Sequence, residues 1–461
     1  MSPSLEQIDR ENLIHPFTAI DAHRASGPRI MASGKGVWVR DSEGREYLDA
    51  MAGLWCVNVG YGREEIADAI AEQARTLAFY HSFASMANEP AIRLAERLVA
   101  LAPGRLGKVF FGNSGSDAND TQVKLVWYYN NLRGRPQKKK IISQRRAFHG
   151  VTLGAASMAG LQGVHAGFDL PLPGFLQTAA PDPYRGLRTL AAGARESDYA
   201  AKLAADLDAL IEREGADTVA AFIAEPVMGA GGVVVPPAGY FQEIQQVLAR
   251  HDVLMIADEV ICGFGRLGRM FGSEVLEIEP DLMTLAKGLT SGYVPMSACL
   301  VSDEIFEVMS EGAGPFNHGT TYSGHPVAAA AALANLDIIE GSDLLAHARV
   351  VGGRLQHELR ERFSDHPLVG DVRGLGLIAG VELVADCETA TAFAPGLRVG
   401  RRLSARLAED GLLCRPVGDI LAFSPALVIS DAEIDILLDR FGRGLSRISD
   451  ELVAEGVWKP S

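Results

Sequence analysis

The chain has 461 residues, enough for a sizeable core and roughly two or three domains. Hydrophobic residues at 48% and charged ones at 22% are those of an ordinary globular protein, while a formal charge of −15 argues against nucleic acid or an anionic membrane as partner. Five cysteines, Cys56, Cys262, Cys299, Cys387 and Cys414, are scattered without C-x-x-C spacing, so neither a disulfide framework nor a zinc site is indicated.

The N-terminus carries acids at Glu6, Asp9 and Glu11 and lacks the basic and apolar regions of a signal peptide. No apolar stretch reaches the roughly 18 residues of a membrane span, so a cytoplasmic protein is expected. Residues 30–50 alternate apolar and polar, with turns at Ser33-Gly34 and Ser42-Glu43-Gly44. They predict a hairpin of Val37 to Arg40 with Glu46 to Asp49. From about 64 to 325, helical stretches such as Ala91 to Ala102, Ala118 to Asn130 and Tyr199 to Glu214 alternate with short apolar runs. Those runs are Lys108 to Phe111, Lys140 to Ile142, Val219 to Ile223 and Val253 to Ala257. Buried strands separated by helices predict an α/β domain with a mainly parallel sheet covered on both faces. Residues 181–198, polar and with two prolines, read as a surface loop. After His325-Pro326 come two predicted helices, Val327 to Ile339 and about Leu344 to Phe363, then mixed segments. The expected division is a large domain over 64–325 and a smaller α+β domain from 1–63 and 326–461.

Asp258 closes the apolar run Val253 to Ala257, and Lys287 closes a second, Leu282 to Ala286, with Gly288 following. A carboxylate and an amine at the ends of two buried segments are what a pyridoxal phosphate (PLP) site requires. The amine holds the cofactor as a Schiff base, and the carboxylate keeps the pyridine nitrogen protonated. Asn113-Ser114-Gly115-Ser116-Asp117 joins an apolar run to a helical stretch. It reads either as an anion cup of hydroxyls and free N–H groups or as an ordinary N-cap. Phe148-His149-Gly150 offers an aromatic face beside a residue that permits close approach, although a core phenylalanine would look the same.

Gly263-Phe-Gly-Arg-Leu-Gly268 matches G-x-G-x-x-G and makes a nicotinamide oxidoreductase the rival. Its context differs, because Asp258-Glu259 intervene after the strand and no helical periodicity follows. The eleven histidines show no H-E-x-x-H pair or metal spacing, and no serine lies in G-x-S-x-G.

Together these residues resemble a class III aminotransferase of PLP fold type I, across almost the whole chain. Within that family the chain is most similar to the pyruvate-dependent ω-aminotransferases. The likeness rests on His15-Pro16-Phe17, Gly53-Leu-Trp-Cys-Val-Asn58, Ala257-Asp-Glu-Val-Ile-Cys-Gly-Phe-Gly-Arg266 and Phe316-Asn-His-Gly-Thr-Thr-Tyr-Ser-Gly-His-Pro326. The resemblance implies that Lys287 holds PLP and moves the substrate proton, and that Asp258 pairs with the ring nitrogen. It implies that Phe148 and Val260 sandwich the ring, with His149 and Glu225 among the cofactor contacts, and that Ser114, Gly115 and Ser116 take the phosphate. Thr321 would reach the phosphate of a neighbouring subunit, so a homodimer with shared sites, or a higher oligomer, is expected. Arg415 would bind the carboxylate of a keto acid acceptor, a task suited to its planar fork. Phe17, Trp55 and Phe83 would wall the pocket of the amine donor, with core packing as the ordinary alternative. Ala230, in Glu225-Pro-Val-Met-Gly-Ala-Gly231, stands where ornithine and 4-aminobutyrate enzymes carry a glutamate that masks the arginine. Its absence favours pyruvate. A decarboxylase or aminomutase of the same fold is the alternative that shares Asp258 and Lys287.

Overall fold

The computed structural model describes residues 3–312 and 314–460; the outermost residues of the expected terminal segments, 1–2 and 461, lie outside that range. Fifteen strands form three sheets among the described residues. The first sheet contains β1 (Met31–Lys35), β2 (Trp38–Asp41) and β3 (Glu46–Asp49), paired antiparallel in sequence order. The predicted hairpin is thus present, shifted by one residue at its first strand and extended by β1.

The central sheet comprises β4 (Leu106–Gly112), β5 (Lys140–Gln144), β6 (Phe175–Thr178), β7 (Val219–Ala224), β8 (Leu254–Asp258), β9 (Leu282–Leu285) and β10 (Ser297–Ser302). Their spatial order is β4-β10-β9-β8-β7-β5-β6. Pairing is parallel from β9 to β6, and only β10 runs against its neighbours β4 and β9. Every residue of β7 is buried, as an apolar run without alternation demands when helices cover both faces. One face packs on the helices Glu196–Glu214 and Tyr240–Arg250, the other on Gly115–Leu132 and Asp303–Glu311. The chain thereby has the mainly parallel α/β fold that its alternating pattern predicts.

The third sheet holds β11 (Val369–Leu375), β12 (Ile378–Leu383), β14 (Arg415–Val417) and β15 (Ile420–Phe423), while the two-residue β13 (Leu412–Leu413) crosses to pair parallel with β3. One apolar cluster joins this region to the first sheet and to the helices Pro326–Gly341, Leu344–Phe363 and Asp431–Ala454. Residues 181–198 are not simply a surface loop. Pro183–Gly186 forms a helical turn, and Asp182, 4% exposed, pairs with Arg146.

Candidate active site

Loops leaving the carboxyl ends of β4, β5, β7, β8 and β9 meet in one cleft, the usual ligand edge of an open α/β sheet. Its lining includes Gly115, Ser116, Phe148, His149, Gly150, Glu225, Asp258, Val260, Ile261 and Lys287. Asp258 and Lys287, 29 positions apart in sequence, are brought together because β8 and β9 are neighbours in register.

Asp258 is 2% exposed and fully engaged. Its Oδ2 meets His149 Nδ1 at 2.8 Å and accepts from Asn119 Nδ2 at 2.9 Å, while Oδ1 accepts from the Val260 N–H at 3.1 Å. The Asn119 amide also donates to the His149 carbonyl, and its Oδ1 accepts from the Thr284 hydroxyl at 2.7 Å. Gln122 bonds in turn to Thr284 Oγ1 and the Met283 carbonyl. A buried carboxylate so supplied with donors is held in one direction.

Lys287 contrasts with this. It follows β9 in a short 3₁₀ turn with φ +38°, a left-handed conformation that costs a non-glycine residue about 1–3 kcal/mol. Its amine makes no hydrogen bond or ion pair with the described residues. Burial pushes its pKa down, and the like charge of Arg415 acts in the same direction, against the opposing pull of Cys56, Glu225 and Asp258. Arg415 opens β14, is partly buried, and leaves its Nε buried without a partner. Burial lowers its pKa, and no carboxylate among the described residues pairs with it.

Glu225 is 4% exposed and accepts from the backbone N–H groups of Phe148 and Gly229, each at 3.0 Å. Burial pushes its pKa up to about 7. It therefore ties the aromatic wall of the cleft to the turn 229–232, which the Arg146 guanidinium also grips through the Gly231 carbonyl. Ala230 lies in that turn and does not line the cleft.

The anion cup divides into two roles. Ser114 is an exposed N-cap in a reciprocal capping box with Asp117, so the ordinary reading of this serine applies and it stays outside the cleft lining. Gly115 and Ser116 begin the helix Gly115–Leu132 and line the cleft, with backbone N–H groups free of intrahelical partners. Gly150, at φ +132°, packs so closely that a Cβ would stand 2.5 Å from Ser116 Oγ. A Cβ on Gly115 would meet Val260 at 3.1 Å. These two glycines keep a cradle open between a helix N-terminus and the Phe148 and Val260 side chains. His149 Nε2 is buried there without a partner. A flat aromatic cofactor carrying a phosphate fits this donor set.

Other expected residues lie elsewhere in the chain. Phe17, exposed, meets Phe148 edge-on at 6.4 Å between ring centroids. Trp55 is 2% exposed, with φ +64°, and packs in an apolar cluster with Ile261, so core packing accounts for much of its burial. Phe83 does not join them. It lies against Gly319, beside the loop that bears Thr321, and both are exposed and outside the cleft of their own chain. The G-x-G-x-x-G segment is a series of turns, not a helix start. Its Arg266 is fully buried and donates to the carbonyls of Leu377 and Pro425 and to Asn58 Oδ1, a structural use of the loop.

Sequence reasoning missed Asn119, Thr284 and Gln122. Thr284 carried the available signal, because a hydroxyl inside an otherwise apolar strand needs a buried partner. Cys56, which acts on Lys287, lies within the Gly53 to Asn58 segment, but sequence reasoning assigns it no role.

The aminotransferase class-III family model matches residues 20–445. The chain is 47% identical over 456 residues to a diaminobutyrate–2-oxoglutarate transaminase of Halomonas elongata, covering 97% of each. It is 44% identical to a chloroplastic gamma aminobutyrate transaminase of Solanum lycopersicum, over 94% of this chain and 84% of that one. The solved ω-transaminase of Pseudomonas jessenii in complex with PMP superposes with a TM-score of 0.94 at 46% identity, covering 97% of this chain and 99% of the other.

Proposed function

The chain belongs to the class III aminotransferases, which use PLP, and we propose that it transfers the amino group of a primary amine or ω-amino acid to pyruvate. The observation that carries this reading is the pair of cations without a carboxylate partner among the described residues, Lys287 and Arg415, beside the fully engaged Asp258. When bound, the cofactor supplies the electron sink that lets the proton on the amine-bearing carbon leave. Lys287, its amine made less basic by burial, takes that proton and returns it at the neighbouring carbon. Asp258 would keep a proton on the ring nitrogen, Phe148 and Val260 would confine the ring, and the N–H groups of Gly115 and Ser116 would receive the phosphate. Arg415 grips the acceptor carboxylate and yields the space to an amine donor in the other half-reaction, so ping-pong kinetics follow.

Pyruvate is favoured because Ala230 leaves Arg415 without a masking carboxylate. The exposed Phe83 and Thr321 fit a homodimer in which each subunit completes its partner's site, and the division into a large domain over 64–325 and a small one from both chain ends belongs to the same reading. Among the described residues no helix is long and apolar enough to cross a membrane, and a cytoplasmic enzyme is proposed.

The test is a donor screen over β-alanine, taurine, diamines and aryl amines, run in parallel with pyruvate and 2-oxoglutarate. Alanine should form faster than glutamate. Faster glutamate formation would remove pyruvate, and CO₂ release without a keto acid would indicate a decarboxylase. Mixing Lys287→Ala and Thr321→Ala subunits should yield heterodimers more active than either parent; a fully active monomer would end the shared-site reading.

A further inference from the structure

Residues 3–26 form a strap with almost no apolar anchorage. The helices Leu5–Asn12 and Ile20–Ser26 bury no side chain, yet the linker between them presents Phe17 to Phe148 at the cleft. What fastens the strap is polar. Asp9, from the first helix, faces His15 of the linker and His23 of the second helix, with each carboxylate oxygen 2.8 Å from an imidazole Nε2. The two rings stand 4.3 Å apart, and the three ligand atoms lie within 4.8 Å of one another. All three side chains are partly exposed, and the rings open on a surface pocket bordered also by Arg10, Glu11 and Arg24.

We propose that Asp9, His15 and His23 bind a divalent cation of the zinc class, which staples the strap across the mouth of the cleft. Two imidazoles and a carboxylate are the ligand set that suits zinc, with water in the remaining position. At metal–ligand distances of about 2.0–2.2 Å, tetrahedral ligands stand roughly 3.3 Å apart, so small movements open the cluster around an ion. Both rings must then carry their proton on Nδ1, because the metal replaces the Nε2 protons now facing Asp9. The residues match no spacing motif because a helix, a linker and a second helix each bring one ligand. A small segment without a core of its own is where a metal contributes most to order.

The experiment uses tag-free, cofactor-loaded protein stripped with a chelator and titrated with Zn²⁺ by calorimetry, then with Co²⁺ by its visible bands. One ion per chain is expected, and Asp9→Asn and His23→Gln should each weaken binding at least about tenfold. Zn²⁺ should also slow tryptic cleavage at Arg10 and Arg24 in the wild-type chain and not in His23→Gln. Absence of binding at micromolar Zn²⁺, or equal affinity and equal protection in the variants, would overturn the site and leave a hydrogen-bonded clasp only.

Discussion

Asp258 lines the cleft and Arg415 lies close enough to act on Lys287 there, yet the two are held in opposite ways. Asp258 accepts from His149, Asn119 and the Val260 N–H, and its supports reach back through Thr284 to Gln122. Among the described residues Arg415 has no carboxylate partner, and the nearby Lys287 makes no hydrogen bond. The difference tracks task. On the proposed roles, the group that must hold one direction through the cycle is surrounded by donors, whereas the groups that would exchange protons or ligands are left without partners among the described residues. The unpaired side carries the cost of burying cations, and the paired side gives up freedom to move.

Removing the free amine breaks the comparison most severely. Lys287→Ala should fold, and its turnover should fall by about 10⁴-fold, the scale of a lost general acid/base, together with the visible band of the lysine-bound cofactor. Normal single-turnover rates would dismiss Lys287. Asp258→Asn keeps the shape of the engaged side and removes its charge, so half-reaction rates should drop by about 10²–10³. A rate near wild type would dissociate the donor network from chemistry. Arg415→Ala should weaken keto acids and carboxylated donors roughly 30- to 150-fold and spare simple amines, as expected for one lost charge-assisted bidentate contact. Equal losses for all donors would contradict the reading of an arginine reserved for carboxylates.

Glu225 sharpens the comparison through pH. Its pKa is near the ordinary 4.5 in the unfolded chain and about 7 when folded, so the folded protein binds the extra proton between those values. This contribution is therefore full below about pH 4.5 and is lost as pH rises through about 7. It amounts to at most about 3 kcal/mol. Glu259, likewise pushed up to about 7 by burial, adds in the same sense. Glu225→Gln should flatten part of the fall in urea midpoint from pH 5 to 8, and should lose about 1 kcal/mol because an amide cannot accept from both N–H groups. An unchanged slope would show that Glu225 stays ionised throughout.

Much of this was legible in the sequence where residues lie close in the chain. The central sheet followed from apolar runs alternating with helices, and Lys287 and Asp258 from their positions at the ends of two such runs. β6 and β10 escaped because Phe175–Thr178 is short and Ser297–Ser302 carries serines at both ends. The Ser114 cluster was ambiguous because capping and anion binding demand the same residue types, and only the reciprocal bond to Asp117 separates the roles. Asn119 was hidden inside a helical run, where nothing local indicates that the partner of its amide is 139 positions away. Phe83 lies against Gly319, an exposed position next to the Thr321 loop that no local pattern in the sequence indicates.

The pairing of β13 with β3 sets an order of events. β3 ends at Asp49, and its fourth-strand partner is Leu412–Leu413, two positions before Arg415. As synthesis proceeds from the N-terminus, the strands that bear Asp258 and Lys287 are complete long before that partner emerges. The strands of the cleft wall are therefore synthesised early, and Arg415 arrives only with the late strand that pairs alongside the first sheet. A chain truncated after β10 would keep the strands that bear Asp258 and Lys287 and would lack Arg415 altogether, and with it the group proposed to select the substrate.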